Sequence, residues 1–236
     1  MVIALHGNPG TGADLEPLAA RLGAQGPRVV VPSRPPAGAP LEELVAELDR
    51  LALEAEQLCL LGYSWGCYLA LRYARLAARP PAAIVLVNPY LVAQNPLSPL
   101  VPVALGLPLL GRLLVRGVAA KAPAFIETVF APEPPPAETA AALRARLADP
   151  VMWRGAVRYK LLQQREPLAA LAQPPARMLV VRGSADRVAD WQVQQRPLAG
   201  ILPRIEIEEV PGAGHGLPWT RTAELARRIA DWLAAG

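Results

Sequence analysis

The pentapeptide Gly62-Tyr63-Ser64-Trp65-Gly66 constrains this chain more than any other feature. An apolar run at 58–61 leads straight into it, and a helix-like run at 67–78 follows. A serine on so sharp a turn must hold strained backbone angles. Glycines two residues to either side let strand and helix approach without Cβ clashes. The following helix adds backbone N–H groups and a positive dipole end where negative charge can develop. With 18 glycines and four serines in 236 residues, chance supplies about 0.02 such motifs, before a flanking strand and helix are required. The pattern predicts a nucleophilic serine at the carboxyl end of a strand.

The surrounding pattern predicts what sheet that strand belongs to. Apolar runs at 2–5, 28–31, 58–61, 83–87, 177–181 and 204–210 read as strands. They alternate with helical spacing at 14–24, 41–53, 67–78, 191–199 and 223–234. In 41–53, for example, Leu41, Leu44, Val45, Leu48 and Leu51 form one buried stripe. Short apolar strands alternating with helices indicate an α/β fold with a parallel sheet covered on both faces. The middle breaks this rhythm with helix-like pieces at 103–118, 124–130, 139–147 and 151–164, separated by turns such as 131–136. The expected organisation is a core of residues 1–88 and 174–236 with a helical cap inserted at 89–173.

Composition removes several function classes. Hydrophobic residues make up 53% and charged residues 19%, so the 27 prolines do not signal disorder, which needs low hydrophobicity as well. The net charge of +4 comes from arginines scattered among alanines and prolines, with Lys121 and Lys160 the only lysines. No contiguous basic stripe with interleaved aromatics suggests a nucleic-acid partner. Residues 80–111 carry no charge, but Pro89, Gln94-Asn95-Pro96, Pro99, Pro102 and Pro108 interrupt them. A membrane span is therefore not expected. Cys59 and Cys67 lack a disulfide framework, and the start shows no signal-peptide pattern, so a cytoplasmic protein is expected.

A serine hydroxyl needs a base, and histidine suits that role near neutral pH. His215, in the glycine-rich loop 211–216 after the last strand, can hang over the carboxyl edge of the sheet. His6 is the other histidine, and its expected role is to shape the loop after the first strand. The acid that orients the base is expected at Asp186, just past the fifth strand, with Asp190 as the alternative. A helix N-cap is the simpler explanation for Asp190. The end of the fourth strand, where an acid could also stand, carries Asn88. The order Ser64, Asp186, His215 is one known for a Ser-His-acid triad. No metal or organic cofactor is implied.

These stretches together resemble the α/β-hydrolase superfamily, a likeness that covers both sheet-forming thirds and leaves the insertion unmatched. Members usually begin with a β-hairpin before the His-Gly loop. Here the chain starts on the strand leading to that loop, so a reduced, six-stranded, all-parallel sheet is expected. The resemblance implies an oxyanion hole made by the backbone N–H groups of Asn8 and Trp65. His6-Gly7-Asn8-Pro9 with Trp65 is similar to haloalkane dehalogenases, but Ser64 stands where they use an aspartate, which argues against their chemistry. The same loops resemble proline iminopeptidases. Those carry acids in the cap, whereas here, over residues 144–165, Arg144, Arg146, Arg154, Arg158, Lys160 and Arg165 face the single acid Asp149.

The reading is thus a serine hydrolase acting on a carboxylic ester, thioester or lactone with an apolar acyl or alkyl portion. Tyr63, Trp153 and Tyr159 are expected to face that substrate, and the basic run in the cap suits an anionic or carrier-bound one. A monomer or homodimer is expected. The same triad could instead serve acyl transfer, cyclisation or lyase chemistry, or the fold could be a non-catalytic ligand-binding protein.

Overall fold

The computed structural model describes residues 1–35, 38–94 and 96–235; Asn95, in one of the expected breaks, lies outside them. Six strands form one sheet: β1 Val2–Leu5, β2 Val29–Val30, β3 Cys59–Tyr63, β4 Ala83–Val87, β5 Arg177–Gly183 and β6 Glu206–Val210. Their order is β2-β1-β3-β4-β5-β6, and every pairing is parallel. The architecture is that of the α/β-hydrolase fold.

The central strands are buried on both faces, and their side chains alternate between two cores. Ile3, Leu5, Leu60, Ile84, Leu86, Met178 and Val180 meet α2 (Leu41–Ala52) and α3 (Trp65–Leu76). Val2, Ala4, Leu61, Val85, Val87, Leu179 and Val181 meet α1 (Glu16–Gly23) and the last helix, Thr222–Ala234. This two-sided burial explains why the strands read as continuous apolar runs rather than alternating ones. The edge strand β6 breaks the rule, because Glu206 and Glu209 are exposed.

Between β4 and β5 the described residues form five helices and no strand. They are α4 Val101–Gly106, α5 Pro108–Ala119, α6 Ala122–Phe130, α7 Ala137–Leu147 and α8 Pro150–Arg165. The single helix expected over 103–118 is two. Pro108 has no N–H to continue α4 and opens α5 at its first position. Similarly, the helix expected over 191–199 is the short α9 Trp191–Gln194, followed by a 3₁₀ turn, Arg196–Leu198, with Pro197 at the break. A further short helix, α10 Leu217–Thr220, precedes α11 Thr222–Ala234. No helix among the described residues is long and apolar enough to cross a membrane.

The strand order reverses at the β1/β3 boundary, since β1 leads to β2 on one side while β3 lies on the other. In open α/β sheets such a switch point leaves a crevice at the carboxyl ends of the strands. The loop His6–Gly10 and Ser64 both lie there. Close approach at this crossing requires glycine. A Cβ on Gly62 would lie 2.6 Å from the Cys67 backbone, and one on Gly66 would overlap the carbonyl oxygen of Leu5. The obstacle at Gly66 is backbone of the central strand and cannot rotate away. Gly66→Ala is therefore expected to destabilise the protein by at least about 3 kcal/mol. A urea titration against wild type measures this directly.

Candidate active site

Ser64 connects β3 to α3 with φ 54° and ψ −120°, a conformation that L-residues rarely adopt. Three backbone hydrogen bonds hold it there. Ser64 N–H donates to Val87 O at 2.9 Å, and Ser64 O accepts from Cys67 N at 3.0 Å and from Tyr90 N at 3.1 Å. The side chain is thereby fixed above the carboxyl edge of the sheet.

His215 Nε2 lies 3.0 Å from Ser64 Oγ, and His215 Nδ1 lies 2.7 Å from Asp186 Oδ2. The other carboxylate oxygen of Asp186 accepts from Val188 N at 2.8 Å and from Ala189 N at 2.9 Å. With the carboxylate accepting, Nδ1 carries the proton and Nε2 is free to accept from the serine hydroxyl. Asp190, by contrast, caps α9 by accepting from Gln192 N at 2.9 Å.

The loop carrying His215 is fastened by residues that sequence patterns did not single out for the task. Asn88 Nδ2 donates to Gly214 O at 3.0 Å and to His215 O at 2.9 Å, while its Oδ1 accepts from Gly183 N at 2.7 Å. One side chain at the end of β4 thus joins the end of β5 to the histidine loop. Its φ of 43° is one that asparagine tolerates better than most residues. Tyr63 O–H donates to the His215 carbonyl at 3.1 Å, and its ring packs against His215 and Trp219.

His6 has a structural setting. Arg34 N lies 3.2 Å from His6 Nε2, and His6 Nδ1 lies 2.9 Å from the Gly7 carbonyl oxygen and 3.0 Å from Arg34 Nη2. The Arg34 guanidinium also donates to the His6 and Gly7 carbonyls and packs against the rings of Trp65 and Tyr159, 4.6 and 5.2 Å from their centroids. Burial pulls its pKa down to about 10. Burial, reinforced by the Arg34 charge, holds the His6 imidazole well below the ordinary histidine value of 6.5. The unfolded chain therefore binds a proton below that value which the folded chain refuses. Stability should fall with pH below about 6.5, this group contributing about 1.4 kcal/mol per unit until His6 itself protonates. Urea midpoints measured from about pH 7.5 to 5 test this, and His6→Gln should remove one proton from the slope.

Two spaces meet at Ser64. A cavity of about 260 Å³ is lined by Trp65, Tyr90, Leu97, Phe125, Trp153 and Val157, with Asn8, Ser64 and His215 at its floor. A smaller recess of about 30 Å³ on the far side is bounded by Tyr63, Ile126, Val129, Leu143 and Trp219. Asn8 Nδ2 donates to the Ala156 carbonyl of α8 at 3.0 Å, tying the β1 loop to the inserted helices. Arg146 of α7 adds a second tie through Thr11 and the buried carboxylate of Asp14.

Of the aromatic residues singled out from the sequence, Trp153 faces the larger cavity and anchors its indole N–H on Leu147 O at 2.6 Å. Tyr63 bounds the recess. Tyr159 is not among the cavity-lining residues; its ring covers Trp65 and Arg34, and its hydroxyl donates to Pro35 O at 2.9 Å. Both cysteines are buried thiols, and burial pushes Cys59 up to about 12. Among the described residues no three His, Cys, Asp or Glu side chains gather as they would around a metal ion.

Residues 2–228 match the model of the alpha/beta hydrolase family. The chain belongs to that family. Over an alignment of 167 positions that covers 67% of this chain, it is 34% identical to the polyketide synthase ThaQ of Burkholderia thailandensis, of whose length it spans only 8%. The esterase EaEST from Exiguobacterium antarcticum superposes with a TM-score of 0.74 at 17% identity, over 99% of this chain and 91% of its own chain. Epoxide hydrolase A from Mycobacterium thermoresistibile gives 0.65 at 20% identity, over 99% and 90% respectively. The two structures show a shared fold and differ in named activity, so chemistry must be argued from the site itself.

Proposed function

We propose that this hydrolase cleaves a carboxylic ester, thioester or lactone with an apolar acyl portion through an acyl-enzyme on Ser64. The observation that carries the reading is the continuous pair of contacts at 3.0 and 2.7 Å from Ser64 through His215 to Asp186, set at the floor of an apolar cavity. Asp186 and His215 are both buried, with side-chain exposures of 7% and 4%. In that setting the imidazolium formed during the reaction is best stabilised by a fixed carboxylate.

In the proposed first step His215 Nε2 takes the hydroxyl proton as Ser64 Oγ attacks the substrate carbonyl. The negative oxygen that develops faces the backbone N–H groups of Asn8 and Trp65. Neither gives its proton to another protein group among the described residues. Each donor of this kind is worth roughly 3 kcal/mol of barrier. His215 then protonates the departing alcohol or thiol, and the same residue activates water to release the acid. The segment 89–173 serves as the cap, supplying most of the acyl-cavity wall through Phe125, Trp153 and Val157.

A volume near 260 Å³ suits an acyl group of modest length. At about 30 Å³ of volume per methylene, a chain of roughly eight or nine carbons fills it, so kcat/KM should rise with chain length and then fall. Initial rates on p-nitrophenyl esters of acetate through dodecanoate test this. A maximum at acetate, or none at all, would count against the cavity as the acyl site.

The similarity to a stretch of a polyketide synthase favours a second reading, in which the acyl group arrives on a carrier or leaves to an acceptor other than water. Product analysis separates the two, because transfer yields a new ester or amide in place of free acid.

A further inference from the structure

Six of the ten large hydrophobic side chains that stand exposed among the described residues fall within 100–113. They are Leu100, Val103, Leu107, Leu109, Leu110 and Leu113, each between 47% and 71% exposed. By helical phase, Leu100, Val103 and Leu107 share about 60° of arc along α4, and Leu109, Leu110 and Leu113 share about 100° of α5. The opposite side of α5 is buried at Gly111 and Val115. A Cβ on Gly111 would lie 2.9 Å from the Leu105 carbonyl oxygen, so the two helices back closely onto each other. Leu105, Leu114, Val115 and Val118 pack with the rest of the inserted helices. The exposed residues are thus a second apolar face, one that the fold leaves uncovered. Such a face marks a docking surface.

The chemistry of the face selects its partner. Arg112 and Arg116 are the only polar side chains of α4 and α5, and both are exposed. They lie at one margin of the α5 stripe, within about 60° of Leu109. No acid occurs anywhere from residue 80 to residue 126. Two copies meeting through this face about a twofold axis would therefore gather arginines with nothing to oppose them. A folded protein partner is typically held by aromatic anchors and hydrogen bonds. The hairpin offers no aromatic ring and no neutral polar side chain. A fluid apolar phase beneath a negatively charged surface needs neither. Leucines enter the acyl chains, and arginine stems lie along them with the guanidinium groups at headgroup level. Leu97, just before α4, and Val118, near the end of α5, both line the cavity beside Ser64, so this hairpin is continuous with the cavity wall.

We propose that the α4–α5 hairpin docks this protein on an anionic lipid bilayer, lying in the interface without crossing it. The exposed leucines supply the apolar contact, and Arg112 and Arg116 supply the preference for negative charge. The inference concerns binding alone and stands whether or not Ser64 forms an acyl-enzyme.

Cosedimentation with vesicles tests this, using pure phosphatidylcholine beside phosphatidylcholine mixed with phosphatidylglycerol in roughly equal parts. Wild type is expected to bind the mixed vesicles at least about tenfold more tightly than the neutral ones. That margin should shrink as salt is raised towards about 0.5 M. Leu109→Gln with Leu113→Gln should weaken binding to both vesicle types by about tenfold or more. Both positions are exposed and glutamine suits a helix, so the thermal midpoint should stay near that of wild type. Arg112→Gln with Arg116→Gln should instead remove the preference for charged vesicles and leave the weaker binding to neutral ones. Leu53→Gln, at an exposed leucine outside the hairpin, should change neither. Wild type that stays in the supernatant with both vesicle types overturns the assignment. Equal binding to the two vesicle types, or binding that survives the Leu109 and Leu113 substitutions, does the same. So does a homodimer in sedimentation velocity that those two substitutions convert to monomer, because a second copy would then cover the face.

Discussion

Ser64→Ala is expected to lower kcat on a p-nitrophenyl ester by about 10⁵ to 10⁶ while leaving the thermal midpoint near that of wild type. In the proposed mechanism the loss is large because, among the described residues, His215 Nε2 contacts no hydroxyl but Ser64 Oγ, at 3.0 Å. The fold should survive because the strained turn is held by main-chain bonds to Val87, Cys67 and Tyr90, none of which uses the hydroxyl. Retention of more than about one per cent of activity would remove Ser64 from the mechanism.

Asp186→Asn is expected to cost about 10⁴ in kcat, with little change in KM. The reason lies in the other carboxylate oxygen. Val188 N and Ala189 N both donate to Oδ1, so an asparagine must place its oxygen there and turn its NH₂ towards His215 Nδ1. The imidazole would then carry its proton on Nε2, facing a serine it can no longer deprotonate. Asp190→Asn provides the contrast. That residue caps α9, asparagine caps helices as well as aspartate does, and activity should stay within about twofold. Comparable losses in both variants would mean that the acid has been misassigned.

The sheet was legible because two-sided burial writes strands as unbroken apolar runs, and because Gly62 and Gly66 mark a crossing where backbones nearly touch. The distinction between Asp186 and Asp190 followed from local geometry, since an acid at the first turn of a helix has an N–H to bind. What could not be read depends on contacts between distant segments. Asn88 gains its role only when β5 and the loop 211–216 arrive beside it. Arg34 looks like one more arginine until Trp65 and Tyr159 close around it. Helical phase explains the difference between two aromatics of α8: Trp153 and Tyr159 are about 120° apart around the axis, so the two rings face different directions. Phase likewise places Lys160 with Trp153 rather than with the solvated arginines of its own run. The break at Pro108 was visible as a residue but masked by the apolar content on both sides of it.

Labelling with a fluorophosphonate tests the central claim most directly, because such a reagent reacts with a serine whose proton is being removed by a neighbouring base. The account predicts one adduct per folded chain, mapped by peptide mass spectrometry to Ser64, formed at a rate that falls sharply in His215→Gln. An unlabelled Ser64 in a protein that still hydrolyses esters, or an adduct on any other residue, would contradict it.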